Sequence, residues 1–180
     1  MQLILVRHPQ PEIAAGICYG SSDLPASAAA LAPVADGLRS AGLPGLLPVY
    51  ASPLARCAAL AHLLTPEVTL DARLAEMDFG AWELRSWDTI PRAEVDGWAA
   101  DLLHYRPGGG ESVLAVAARV AAFRDELRDA GHGAALLVCH AGTMRLLSAL
   151  HEGGPLEQAA LRAATSAHRI GYGEVVVLKD

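Results

Sequence analysis

Short apolar runs alternate with segments of helical periodicity along most of this chain. Four runs are typical of buried strands, at residues 3–6, 49–51, 68–70 and 134–138, and a fifth strand is predicted at 174–178. Helix signals fall between them, at about 28–40, 53–64, 111–131 and 143–150. This alternation predicts an α/β fold with three layers, in which helices cover both faces of a mostly parallel sheet.

Two segments interrupt this pattern. Residues 9–26 contain three prolines and two glycines, which predicts a long loop after the first strand. Residues 71–110 end in a Pro-Gly-Gly-Gly run and contain all three tryptophans: Trp82, Trp87 and Trp98. We interpret this change in composition as a small inserted cap within a single domain of residues 1–180. The tryptophans would form the core of this cap, and one of them could line a pocket for an aromatic leaving group.

Serine residues mark two predicted helix starts. Ser52 precedes Pro53, a residue suited to the first helical turn, so Ser52 is a candidate helix cap. The inward positions predicted for that helix are Leu54, Ala58, Ala61 and Leu64. Ser112 opens a helix whose apolar residues recur at helical spacing: Val113, Val116, Ala117, Val120 and Phe123.

Composition narrows the class of protein. With 14 basic and 20 acidic side chains, the 180 residues have a formal net charge of −6, which argues against a nucleic-acid-binding protein. The basic residues are arginines apart from Lys179, a bias typical of genome composition. The three cysteines form no CxxC pair, and the first apolar run is much shorter than a membrane span. We therefore expect a cytoplasmic protein without a zinc knuckle, signal peptide or membrane segment.

Two of the predicted strands end in a histidine. His8 follows the first strand and His140 the fourth, and ligands of open α/β sheets bind at the carboxyl ends of strands. Arg7 stands beside His8, and Arg56 lies in the helix after Ser52, whose N-terminus at 52–54 would add positive dipole. The guanidinium group of arginine donates paired hydrogen bonds to phosphoryl oxygens, so these residues indicate one phosphate-binding cleft. The other histidines have no assigned role: His62, His104, His132, His151 and His168.

Five motifs resemble those of the histidine phosphatase superfamily, the fold of the cofactor-dependent phosphoglycerate mutases. They are Leu-Val-Arg-His at 5–8, Ser-Pro-Leu-Ala-Arg at 52–56, and the segments 74–83, 109–112 and 138–145. They follow the family's order and extend across nearly the whole chain. The resemblance therefore implies a phosphoglycerate mutase-like fold.

The resemblance also implies catalytic roles for five side chains. His8 would be the nucleophile and form phosphohistidine, while its other ring nitrogen stays protonated and donates a hydrogen bond to a backbone carbonyl. Arg7, Arg56 and protonated His140 would bind the equatorial phosphoryl oxygens. Glu76 would protonate the leaving alkoxide and then activate water. This chemistry requires neither a metal nor a cofactor.

Some roles stay open between a ligand contact and a structural function. The substrate contacts predicted outside the catalytic set are Tyr19, Ser52 and Ala141. Ser52 is at least as well explained by the helix cap. Glu76 matches the family's proton donor, and two neighbouring acids are alternatives for it: Asp78 and Glu83.

Three positions near His8 depart from the family pattern. Pro9 replaces the usual glycine and Pro11 the usual serine or threonine, which removes a backbone N–H and a hydroxyl from the phosphate site. Ala14 stands where an asparagine is often found. These changes leave the five catalytic side chains intact but weaken the case for a mutase-like grip on a bisphosphate.

Within the superfamily, the short chain and the loops at 18–25, 79–83 and 107–112 look most like α-ribazole phosphatases. Those enzymes remove the 5′-phosphate of a benzimidazole nucleotide in cobalamin assembly. The expected partner is a small-molecule phosphate ester, not nucleic acid or membrane, and a homodimer is left open. One alternative is a phosphoglycerate mutase, which should carry longer insertions and more positive charge. The other is a non-catalytic phosphate-ligand or protein-binding module, against which the intact catalytic set argues.

Overall fold

The computed structural model describes residues 1–167 and 169–179. Within this part of the chain, five strands form one sheet, accompanied by six α-helices. The elements are β1 (Gln2–Arg7), α1 (Ala28–Ser40), β2 (Val49–Ala51), α2 (Ala55–Leu64), β3 (Val68–Leu70), α3 (Arg92–Ala100), α4 (Val113–Asp129), β4 (Ala134–Cys139), α5 (Ala141–His151), α6 (Leu156–Thr165) and β5 (Val175–Leu178). The α/β fold expected from the sequence is confirmed. His168 lies outside the described residues.

The strand order explains why two distant histidines meet. The sheet runs β3-β2-β4-β1-β5; its first four strands are parallel, and β5 pairs antiparallel to β1. In the parallel pair of β1 and β4, Arg7 stands opposite Cys139. The backbone N–H of His8 then donates to the carbonyl of Cys139 over 3.0 Å. The residues that follow these two strands, His8 and His140, therefore emerge side by side at the centre of one sheet edge.

Side-chain alternation along β1 and β4 builds two apolar layers, one on each face of the sheet. Leu5 and Leu137 pack with α4, α5 and α6, whereas Val6 and Val138 pack with α1 and α2. All four side chains are completely buried. Strands that are covered on both faces show continuous apolar runs, as these two do. The predicted three-layer arrangement follows from this pattern.

The start of α2 differs from the sequence prediction. The helix begins at Ala55, not at Pro53, and the carboxylate of Asp23 accepts the Ala55 N–H over 2.6 Å. A residue 32 positions earlier thus takes the role predicted for Ser52. The buried face of the helix also differs from the prediction, because its buried residues are Arg56, Cys57, Leu60 and Ala61. Of the four predicted inward positions, Leu54, Ala58 and Leu64 are only partly buried.

Residues 71–110 contain α3 and several short 3₁₀ turns. Trp82 and Ile90 form a small apolar cluster there with Cys18 from the long loop, and further aromatic rings pack around it. This cluster is separate from the two layers of the sheet, although the extent of a cap stays a prediction. No helix in the described ranges is both long and apolar enough to cross a membrane.

Candidate active site

A cavity of about 510 Å³ opens at the carboxyl ends of β1 and β4. Its wall includes all five side chains predicted to be catalytic: Arg7, His8, Arg56, Glu76 and His140. The predicted contacts Tyr19 and Ala141 also line it. Residues separated by as many as 133 positions therefore surround one space, because their strands are neighbours in the sheet.

His8 is held in one tautomer. Its Nδ1 lies 2.6 Å from the carbonyl oxygen of Pro9, which can only accept, so Nδ1 carries the proton. The lone pair is then on Nε2. Burial, together with the nearby guanidinium groups of Arg56 and Arg7, lowers the pKa of His8 to about 3. At neutral pH this imidazole is uncharged and can attack an electrophile.

We expect this buried histidine to make folding stability pH-dependent. The unfolded chain takes up the proton near pH 6.5 and the folded chain only near pH 3, so the unfolded state binds more protons in between. The free energy of unfolding should fall with decreasing pH, by about 1.4 kcal/mol per pH unit for one such group. Urea unfolding between about pH 6.5 and pH 5 measures this slope above the range of most carboxylates.

A matched pair of variants isolates the contribution of His8. His8→Asn should reduce the slope by the share of one histidine, and His62→Asn, at an exposed position, is measured beside it as the matched substitution. An identical slope in His8→Asn and the wild type would contradict a buried, neutral His8.

His140 lies against His8, with 5.0 Å between the ring centroids. Its Nε2 is 2.8 Å from the hydroxyl oxygen of Ser52, and both residues are completely buried. Burial first, and then His8 and the arginines, lower the pKa of His140 well below 6.5. The protonated His140 expected from the sequence is therefore not favoured by its protein neighbours. A bound phosphate dianion would oppose these effects and favour protonation.

Of the two roles left open for Ser52, a ligand contact and the cap of α2, the cap is wrong, because the helix begins at Ala55. The hydroxyl oxygen of Ser52 lies 2.8 Å from Nε2 of His140 and also accepts the N–H of Leu54 over 3.3 Å, while Leu54 occupies the capping position of the helix. The predicted dipole of a helix N-terminus at 52–54 also needs correction, because the first helical N–H is already bonded to Asp23. Positive charge in this part of the cavity comes from the two arginines.

Both arginines are anchored by backbone carbonyls. Arg7 donates from Nη1 to Ile170 over 2.6 Å, and its guanidinium carbon lies 3.9 Å from the ring centroid of Tyr172. Arg56 is completely buried and donates to the carbonyls of Gly20 and Ser22. Within the described ranges, the Nε atoms of both arginines are buried without a hydrogen-bond partner. Two guanidinium groups that are held in place, and whose Nε–H groups can still donate, are suited to binding an anionic ligand.

Glu76 rests on the N-terminus of α5. Its Oε2 accepts from the backbone N–H of Gly142 over 2.9 Å, and its Oε1 accepts from the N–H of Met77. Arg119 holds the preceding segment by donating to the carbonyl oxygens of Ala75 and Glu76. The carboxylate therefore faces the cavity from a backbone that is fixed on both sides.

Gly142 is required by this contact. A Cβ at position 142 would lie 2.3 Å from Oε1 of Glu76, which is too close for the carboxylate to stay in place, and 3.1 Å from its Oε2. We expect Gly142→Ala to displace the carboxylate and to lower kcat/KM by about 10- to 100-fold. The rate to measure is hydrolysis of an alkyl phosphate, whose leaving alkoxide would need a proton from Glu76.

Gly37→Ala in α1 is the matched control, because a Cβ there meets nothing within 4 Å. This variant should keep its activity and gain about 0.5–1 kcal/mol in the free energy of unfolding. Full activity of Gly142→Ala would mean that the position of Glu76 is not critical.

The two acidic alternatives to Glu76 have other partners. Glu83 accepts backbone N–H groups from Gly20 and Ser21, and Asp78 accepts from Gly80 and from the Ser21 hydroxyl. Neither belongs to the wall of the cavity. The geometry therefore favours Glu76 as the acid that can reach a ligand.

Two cavity residues, Tyr172 and Arg145, and the buried Cys57 had no assigned role in the sequence analysis. Tyr172 packs 5.7 Å from the ring of His8 and shares a 2.8 Å hydrogen bond with the hydroxyl of Tyr19. Arg145 lines the cavity, while its guanidinium bonds carbonyls at the end of α6. Cys57 places its sulfur 3.4 Å from His140 Nε2. Tyr172 lies in an irregular turn, where hydrophobic periodicity gives no signal. Arg145 lies in the segment 138–145, one of the five motifs that resemble the family, so that motif is a signal for it.

The rest of the cavity wall is apolar and rich in aromatic rings. Its residues are Ile17, Met77, Phe79, Trp87, Trp98, Leu102, Val113, Val116, Leu146, Ala163 and Ala164. Trp87 and Trp98 are nearly parallel, at 6°, with 6.4 Å between their centroids. Trp82 lies in the apolar cluster and Trp98 packs against it, as expected for a cap core, while Trp87 and Trp98 also line the cavity. In the described residues, no group of three or more His, Cys, Asp or Glu could hold a metal ion.

Comparisons with known proteins agree with this fold. A sequence profile of the histidine phosphatase superfamily (branch 1) matches residues 3–174. The α-ribazole phosphatase from Shigella flexneri is 27% identical over 98% of this chain and 89% of that chain, with a TM-score of 0.82. The mycobacterial glucosyl-3-phosphoglycerate phosphatase is 25% identical over 98% and 88%, with a TM-score of 0.80. A search of curated protein sequences finds no significant match.

Proposed function

We propose that this chain, which belongs to the histidine phosphatase superfamily, is a metal-independent phosphomonoesterase that works through a phosphohistidine. The observation that carries the proposal is the state of His8. This imidazole is neutral and has its Nδ1 proton on the Pro9 carbonyl, which leaves Nε2 as the nucleophile. A cavity that holds two arginines, a second histidine and a carboxylate beside it supplies the other groups that phosphoryl transfer requires.

In the first step, Nε2 of His8 attacks phosphorus in line with the ester oxygen. The P–N bond forms as the P–O bond breaks, and the leaving alkoxide takes its proton from the Glu76 carboxylic acid. Arg7 and Arg56 hold the equatorial oxygens, and His140 joins them once the bound dianion raises its proton affinity. In the second step, Glu76 takes a proton from water, which attacks phosphorus and releases inorganic phosphate and free His8.

The proposed substrate is α-ribazole 5′-phosphate. Its single phosphate suits the charged part of the cavity, and its benzimidazole suits the apolar wall that contains Phe79, Trp87 and Trp98. A glucosyl or glycerate leaving group would place hydroxyls or a carboxylate against that wall, which is unfavourable without polar partners.

The phosphoglycerate mutase alternative is less well supported by this geometry. A bisphosphate needs a second site for an anion. Besides Arg7 and Arg56, the described wall contains one further arginine, Arg145, whose Nε and Nη2 already donate to Ser166 and to carbonyls of α6. The aromatic wall offers no other cation for a second phosphate.

The chemistry is tested with a radiolabelled aryl phosphate in the presence of a chelator. We expect turnover to survive the chelator and acid-labile phosphate to appear on the protein after a rapid quench. Loss of turnover in chelator would contradict metal independence. Phosphate binding without any turnover would instead support a non-catalytic module.

The substrate is tested by comparing kcat/KM for α-ribazole 5′-phosphate, phosphoglycerates and glucosyl-3-phosphoglycerate. Burial of an aromatic base should favour α-ribazole phosphate by about 10- to 100-fold. Equal values for these esters would rule out the assignment to cobalamin assembly while leaving the phosphatase chemistry intact.

A further inference from the structure

Arg56 is a buried cation with an unusual set of partners. It is completely buried, and no carboxylate in the described residues forms an ion pair with it. Its Nη1 donates to the carbonyl of Ser22 over 2.8 Å and its Nη2 to the carbonyl of Gly20 over 2.6 Å. An isolated buried charge is costly, so these two carbonyl dipoles must be held firmly in place.

Glu83 holds the same loop from its opposite side. Its carboxylate accepts the backbone N–H groups of Gly20, Ser21 and Ser22 at 3.0, 3.0 and 3.2 Å, and the Ser22 hydroxyl at 2.5 Å. Burial alone would raise the pKa of Glu83, but these hydrogen bonds lower it overall, so the group is ionised at neutral pH. One side chain therefore satisfies three consecutive peptide groups.

A single peptide unit connects the two charges. The N–H of Ser21 points to Glu83, and the carbonyl of the same peptide, that of Gly20, points to Arg56. The peptide dipole is thus aligned between a carboxylate and a guanidinium, and each charge strengthens the hydrogen bond of the other. Glu83 and Arg56 are therefore linked by the two hydrogen bonds of one peptide group.

Close packing ties the position of the loop 20–23 to the segment that carries Glu83. A Cβ on Gly20 would overlap the carbonyl oxygen of Met77 and the ring of Phe79, so the loop presses directly on the segment that carries Glu83. At its other end, Asp23 bonds the first N–H of α2, the helix that contains Arg56. The loop 20–23 therefore lies clamped between Glu83 and α2.

We propose that Glu83 is a positioning residue for Arg56, acting through the Gly20–Ser21 peptide. The catalytic consequence rests on the proposed function, in which Arg56 holds the phosphoryl group. The structural statement does not, because Glu83 orients the guanidinium whether or not an ester is hydrolysed. Glu83 was an alternative proton donor in the sequence, and this role replaces that one.

The first experiment measures Arg56 in the protein without substrate. Arginine side-chain NMR of Glu83→Gln should show the Arg56 Nε–H shifted and exchanging with solvent about 10-fold faster, with Arg7 unchanged. The Arg56 signal is assigned by its absence in Arg56→Lys. An unaltered Arg56 signal in Glu83→Gln would overturn the proposal, and this outcome does not depend on phosphatase activity.

The second experiment is a double-mutant cycle on kcat/KM for an aryl phosphate. Glu83→Gln alone should lower it by about 10- to 100-fold, as the loss of a group that orients a charged ligand does. In an Arg56→Ala background the same change should cost less than about 2-fold, but in Arg7→Ala it should keep its full effect. Equal losses in both backgrounds would overturn the proposal. A wild-type protein without turnover would contradict the proposed function alone.

Glu94→Gln is the matched control. Glu94 accepts from Trp82 Nε1 over 2.6 Å, so its loss weakens the packing of the same segment without contacting the loop 20–23. Glu94→Gln should leave kcat/KM within about 2-fold of the wild-type value. An equal loss in Glu94→Gln would mean that general loosening explains the effect. If Glu83→Gln fails to fold, Ser22→Ala removes one bond to Glu83 and should give a smaller loss that also vanishes in Arg56→Ala.

Discussion

Replacing His8 with alanine is expected to lower kcat for an aryl phosphate by about 10⁴- to 10⁶-fold, because the chemistry then has no nucleophile. The acid-labile phosphate on the protein should disappear at the same time. Arg7 and Arg56 keep their carbonyl anchors in this variant, so phosphate binding should persist. Rapid-quench labelling and steady-state rates measured on one preparation provide both readouts.

Two controls make the His8→Ala result interpretable. Added imidazole should restore part of the turnover if the missing ring is the main defect, because the vacated space adjoins the phosphate site. His62→Ala, at an exposed position, should keep full activity. Unchanged turnover in His8→Ala would refute the phosphohistidine mechanism.

Glu76→Gln should have the second-largest effect, and its size should depend on the leaving group. For an alkyl phosphate, whose alkoxide needs a proton, we expect the phosphorylation rate to fall by about 10²- to 10⁴-fold. For 4-nitrophenyl phosphate the loss should be much smaller, because nitrophenolate leaves without protonation. The burst of the first turnover measures this step separately from the attack of water.

Asp78→Asn provides the comparison for Glu76→Gln. Asp78 is the neighbouring carboxylate, lies outside the cavity wall and bonds Gly80 and Ser21. Its loss should change the burst by less than about 3-fold with either leaving group. A dependence on leaving group in Asp78→Asn, or its absence in Glu76→Gln, would show that Glu76 is not the proton donor.

The sequence was most informative about the layout of the sheet. Continuous apolar runs that stop at His8 and His140 predicted strands with chemistry at their ends, and the parallel pairing of β1 and β4 brings those ends together. The sequence analysis missed α6, whose buried residues are the small side chains Ala159, Ala160 and Ala163, although they recur at helical spacing.

Roles that depend on distant partners could not be derived from local pattern. Ser52 has the residue type and spacing of a helix cap, yet His140, 88 positions later, takes its hydroxyl. Glu83 looks like a possible acid until the loop 20–22, about 60 positions earlier, is seen to donate to it. In both cases the tertiary hydrogen bond determines the role, and neither bond has a signal in the neighbouring sequence.

The two parts of the cavity wall come from different parts of the chain. Apart from Glu76, the charged groups and histidines at its base come from β1, α2 and the residues after β1 and β4, whereas Phe79, Trp87 and Trp98 belong to the segment 71–110. Natural selection can therefore alter substrate preference and reaction chemistry separately. If the proposed function holds, substitutions at the aromatic positions would change which ester is preferred, whereas the residues proposed to transfer the phosphoryl group would stay unchanged.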